Sequence, residues 1–141
     1  MKELIIDADK AIVGRMATFV AKQALLGRKV SVINCEKAII SGKPTQVIAR
    51  YRQRRDKGTP FKGPFPSRLP DRFVRRIIRG MLPYKQGRGK EAFKNIMCYL
   101  GTPEQFKDKK TVKVDYARFE QSRLLNYVTV YDVCKALGAK V

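Results

Sequence analysis

The stretch LIIDADKAIVGRMATFVAKQALLGRKVSVIN, residues 4–34, decides the fold. Leu4 to Ala8 reads as a short buried strand. Val13-Gly14-Arg15-Met16-Ala17-Thr18 opens an Ala-rich helix that runs to about Leu26. Ala17, Val20, Ala21, Ala24 and Leu25 recur at helical spacing, so one face is apolar and small enough to lie close on a sheet. Gly27 is placed to end the helix. Val30 to Asn34 reads as a second buried strand. A strand, a helix of about three turns and a second apolar strand make a βαβ unit, which implies a parallel sheet.

Outward from this unit, the most telling property is charge. Thirty-one Lys and Arg face twelve Asp and Glu over 141 residues, for a net charge of +19 with no histidine. A polyanion is the expected partner of such a chain. The lack of histidine removes the commonest general base and the commonest metal ligand together. The excess is concentrated: residues 43–94 hold sixteen basic and three acidic residues. A block of that sign repels itself unless counter-charge is near. It is interleaved with apolar stripes, so residues 1–141 read as a single domain with a basic, RNA-facing region at 43–94. An apolar content of 44% is ordinary for a folded domain. No apolar run reaches the roughly 18 residues of a membrane span, and Met1-Lys2-Glu3 does not open like a signal peptide.

Within the basic region, Thr45 to Lys57 reads as a helix with few apolar residues: Val47, Ile48 and Tyr51. Arg50, Arg54 and Lys57 share one face, and Arg52 and Arg55 widen it. Residues 58–70 carry four prolines, which exclude a helix or an inner strand. Such a loop is stiff before docking. There Phe61 and Phe65 alternate with Lys62 and Arg68. The two rings either stack on nucleic acid or anchor the loop to the body; Lys62 and Arg68 read as RNA contacts. Asp71 is placed as an N-cap. Val74, Ile77, Ile78 and Met81 follow as an apolar stripe. Arg72, Arg75, Arg76 and Arg79 form a second stripe at the same spacing. Four guanidinium groups on about two turns repel one another until phosphates relieve them. Lys85, Arg88 and Lys90 extend the basic surface through a Gly-rich turn. That turn lacks Walker spacing and is not a nucleotide loop.

Glu91 to Leu100 fits either a helix or a strand. Residues 104–126 are polar and carry no clear element. Thr129 with Asp132 reads as the cap of a last short helix to about Leu137, closed by Gly138. Cys35, Cys98 and Cys134 form no CxxC pair and read as small buried hydrophobes in a reducing cytoplasm. No metal site or cofactor is expected.

Several runs resemble the large-subunit ribosomal protein L13 family. They are Val13-Gly14-Arg15-Met16-Ala17-Thr18, Val32 to Lys37, Ser41-Gly42-Lys43, Lys62-Gly63-Pro64-Phe65, Arg75 to Pro83, Gly87 to Gly101 and Tyr127 to Val130. The short length and the Gly-Pro-Phe loop resemble archaeal members most. The resemblance implies a three-layer α/β/α fold with a four-stranded parallel sheet and basic RNA-binding extensions. It implies a helix from about Arg88 to Lys94 followed by a strand. It also implies binding to large-subunit ribosomal RNA, beside neighbouring ribosomal proteins, and support of subunit assembly in the cytoplasm.

The expected function is therefore a structural constituent of the large ribosomal subunit, not an enzyme, with neither a membrane nor a small-molecule substrate as partner. The expected contacts are Arg50, Arg54, Arg55, Lys57, Lys62, Arg68, Arg72, Arg75, Arg76, Arg79, Lys85, Arg88 and Lys90. Two alternatives are a free regulatory RNA-binding protein and a metal-dependent nuclease. The nuclease would have to use Asp7, Asp9 and Asp71, which show no ligand pattern.

Overall fold

A computed structural model describes residues 3–118 and 126–140. The first strand, β1 (Glu3–Asp7), leads to helix α1 (Val13–Leu25) and strand β2 (Lys29–Ile33), the expected βαβ unit. A single turn of 3-10 helix at Cys35–Lys37 precedes β3 (Ile39–Ser41). Then come α2 (Pro44–Asp56), α3 (Pro70–Gly80), α4 (Gly87–Lys94) and β4 (Ile96–Cys98). Strand β5 (Tyr127–Thr129) runs directly into α5 (Val130–Ala136). Of the polar stretch 104–126, residues 119–125 lie outside the described residues; the rest holds short 3-10 turns at Glu104–Phe106 and Asp115–Ala117.

The parallel sheet has the order β1-β2-β4, with Leu4 beside Val30 and Val30 beside Ile96. Its strands are apolar on both sides, as a sheet covered on both faces requires. Ile6, Val30, Val32 and Ile96 enter the main core. Ile5 and Ile33 turn to the other face, against Phe106. The one buried polar side chain of the sheet, Ser31, donates to the Glu3 carboxylate at 3.0 Å.

Two details depart from expectation. The parallel sheet has three strands among the described residues rather than four. Beyond β1 the pattern continues only as a bridge at Val112, whose N–H donates to the Ile5 carbonyl at 2.8 Å. The short strand β3 pairs antiparallel with β5 instead, Ile40 opposite Val128. Leu25 is also 42% exposed. At 100° per residue it lies roughly 100° round the helix from the Val13–Val20–Ala24 stripe.

Other expectations hold. Gly27, just past α1, takes φ 91, a conformation glycine adopts without strain. The segment from 88 to 98 is a helix and then a strand. The Thr129 hydroxyl accepts from the Asp132 N–H at 3.2 Å, capping α5. All three cysteines are free and buried. A contact with the Cys98 thiol, together with burial, holds the Cys35 thiol well above the ordinary range. Burial, with the Asp71 charge nearby, pushes Cys134 up to about 12. One apolar cluster collects residues from Ile6 to Leu137, including Val47 of α2 and Val74 and Ile78 of α3. That cluster fixes the basic helices against the body.

Candidate nucleic-acid interface

Helix α2 begins with Pro44 at its first turn, where a missing N–H costs nothing. It buries only Val47. Tyr51 packs edge-on against Phe73 of α3, with ring centroids 5.0 Å apart. Arg50 and Arg54 bracket that tyrosine, their guanidinium carbons 5.4 and 5.3 Å from the ring centroid. Both are exposed, as is Lys57. Arg52 and Arg55 turn the other way. Arg55 Nη1 donates to the Leu137 carbonyl at 3.1 Å, its Nε pairs with Asp56, and Arg52 Nη2 lies 3.5 Å from the Ala136 carbonyl. Both arginines thus satisfy carbonyls left open at the end of α5. So α2 has one face tied to the body and one facing outward.

Helix α3 starts two residues earlier than expected. Leu69 is its N-cap and Pro70 its first residue, so Asp71 sits inside the first turn rather than capping it. Proline is pre-organised for the first helical position, and the carboxylate still complements the helix dipole. The buried face is Phe73, Val74 and Ile78, with Ile77 beside them. Met81 is 39% exposed because the helix ends at Gly80; Leu82 takes its place in the core.

The arginine stripe of α3 divides. Arg75 points inward, 3.9 Å from the Phe93 ring centroid. Its Nε donates to the Ile96 carbonyl at 3.0 Å and its Nη2 to the Phe93 carbonyl at 3.2 Å. It therefore clamps the junction of α4 and β4. Arg72 and Arg76 are exposed, and Arg76 Nη1 donates to the Phe65 carbonyl at 3.3 Å, pinning the Pro-rich loop. Arg79 lies over Tyr84, 4.9 Å from its centroid.

That loop closes on itself at the Thr59–Gly63 turn, where the Gly63 N–H donates to the Thr59 carbonyl at 3.0 Å. Phe61 is 93% exposed and Phe65 68%, so Phe61 does not anchor the loop. Lys62 and Arg68 are exposed beside them. Lys85, Arg88 and Lys90 lie exposed at the turn into α4. The turn packs so tightly that a Cβ on Gly89 would run into the Pro83 carbonyl.

The structure therefore gathers Arg50, Arg54, Lys57, Lys62, Arg68, Arg72, Arg76, Arg79, Lys85, Arg88 and Lys90 on α2, the loop, α3 and the start of α4. It turns Arg55 and Arg75 into the protein. Sequence reasoning missed Tyr51 as the centre of an Arg-Tyr-Arg platform; its place between Arg50 and Arg54 on one helix was the signal. Within 4 Å, ion pairs among the described residues join Arg55 to Asp56, Lys109 to Glu3 and Lys113 to Asp7. Only the first involves a cation of the 43–94 block.

Of the acids of the nuclease alternative, the Asp7 carboxylate has other work. Asp7 Oδ1 accepts from the Asp9 N–H and from Asn34 Nδ2, both at 3.0 Å, and so holds the turn after β1. Asp71 lies in the first turn of α3. Among the described residues no group of three or more His, Cys, Asp or Glu is arranged to hold a metal ion. No helix there is long and apolar enough to cross a membrane.

A three-stranded parallel sheet carrying a flank of outward cations defines a class: a small α/β protein with a surface suited to a polyanion. Residues 1–105 match the family model described as Ribosomal protein L13. The chain belongs to that family, whose members are structural proteins and not enzymes. Among its relatives, the large ribosomal subunit protein uL13 of Methanopyrus kandleri is 44% identical over 95% of this chain and 86% of its own length. That of Methanococcus maripaludis is 43% identical over 97% and 98%, and that of Haloarcula marismortui 39% over 97% and 92%.

Proposed function

We propose that this chain is a structural constituent of the large ribosomal subunit, acting as one domain that binds ribosomal RNA and supports subunit assembly. Its place is the ribosome in the cytoplasm, against RNA and neighbouring subunit proteins. It uses no cofactor. The observation that carries this reading is the unpaired charge of α2, the 58–70 loop and α3. Among the described residues those cations have no carboxylate within ion-pair distance, save Arg55, yet the helices beneath them are held in place by a shared core. Neutralising phosphates releases condensed counterions and lets folded RNA segments approach one another. Arginine suits the task because its fork meets phosphate oxygens bidentately. Recognition is of shape and phosphate more than of base edges, as A-form RNA dictates.

The test is sedimentation of a tagged full-length chain from cells after a high-salt wash. Migration with the large subunit supports the assignment. Recovery at the top of the gradient contradicts it and favours a free regulatory RNA binder.

A further inference from the structure

A broad cleft lies between α2, α3 and the Pro-rich loop. It encloses about 940 Å³. Its floor and walls include Ile12, Ile39, Tyr51, Pro64, Phe73 and Ile77. Its rim carries Arg15, Arg50, Arg54, Lys57, Arg68 and Arg76, and no Asp or Glu among the described residues lines it. The volume falls in the range of roughly 300–1,000 Å³ typical of sites for compact organic ligands.

This combination is selective. A double helix is too wide to enter and would rest on the rim alone. A water-filled anion site would not need apolar walls. A single planar base, flanked by two phosphates, satisfies both parts. The base meets apolar side chains and the Tyr51 platform, whose flanking guanidinium groups are themselves stacking surfaces. The phosphates meet the cationic rim, which is continuous with the outward face of α2 and α3. We infer that this cleft receives one unstacked nucleotide of the bound RNA, base inward and flanking phosphates on the rim. The inference rests on the RNA-binding reading above and adds the form of RNA that the protein selects.

The test uses the full chain and two RNA hairpins of equal length. One carries a single bulged 4-thiouridine; in the other that nucleotide is paired. The bulged hairpin is expected to bind about tenfold tighter. Thr18 is exposed on the cleft wall, so Thr18→Trp fills the entrance from the surface. It is expected to erase that preference while leaving affinity for the paired hairpin unchanged, which also reports intact folding. Irradiation is expected to crosslink the bulged nucleotide to peptides containing Tyr51 or Ile77. Equal binding of both hairpins, a preference that survives Thr18→Trp, or crosslinks only outside the cleft would overturn the inference and leave RNA binding standing. Failure to bind either hairpin would overturn both readings.

Discussion

The two basic helices carry similar charge and use it differently. Helix α2 buries one residue, Val47, and keeps Arg50 and Arg54 outside on either side of Tyr51. Helix α3 buries Phe73, Val74 and Ile78, and commits Arg75 to two backbone carbonyls of the α4–β4 junction. Arginine therefore does two jobs on one flank. Some arginines keep their charge on the outer surface; Arg75 and Arg55 close open carbonyl ends inside the protein. Net charge alone does not separate the two groups, whereas the position of carbonyls around each helix does.

The sharpest way to break this comparison is to reverse charge on the outward group. Arg50→Glu with Arg54→Glu is expected to weaken RNA binding roughly 100-fold at moderate salt, with the thermal midpoint nearly unchanged. Lys107→Glu with Lys110→Glu, away from this flank, is expected to change affinity less than about threefold, since distant exposed charges are screened. A filter-binding series on the same RNA checks both. If the two double variants behave alike, the outward face of α2 is not a contact surface.

The inward group makes the opposite prediction. Arg75→Met keeps the stem against Phe93 but abandons two carbonyls, and should cost about 2–3 kcal/mol of stability. Urea unfolding measures this. RNA affinity per folded molecule should fall by little more than one lost charge. A variant as stable as the parent but with binding abolished would move Arg75 to the contact surface.

The smallest effect concerns the seam where α5 meets α3. The Cys134 thiol, raised from 9.0 to about 12 by burial and by Asp71, stays neutral in the folded protein after it would ionise in the unfolded chain. Its share of stability is complete below about pH 9 and is lost as pH rises from 9 towards 12. The loss should be about 1 kcal/mol at pH 10. Cys134→Ala should flatten that part of the stability–pH curve; an unchanged slope would remove the thiol from the account.

Much of this arrangement was legible in the residues. Alternating buried strands around an Ala-rich helix specify a βαβ unit, because both periods are strong and local. Thr129, Gly27 and Gly138 mark helix ends by backbone chemistry that needs no tertiary context. The basic face of α2 and α3 follows from spacing. What stayed hidden depends on neighbours distant in the chain. Strand β3 is three residues long and finds its antiparallel partner at Tyr127–Thr129, about ninety positions on; nothing local sets that direction. Arg55 and Arg75 look like their neighbours until the carbonyls of Leu137, Phe93 and Ile96 are placed beside them. Pro70 and Asp71 both signal a helix start, and the proline's fixed φ decides which comes first.

The central claim is that a broad set of outward cations meets phosphates at once. Its most direct test is the salt dependence of binding to large-subunit ribosomal RNA. With about ten contacts, log K against log salt should have a slope on the order of −7 to −9. A slope near −2 would contradict a broad electrostatic interface.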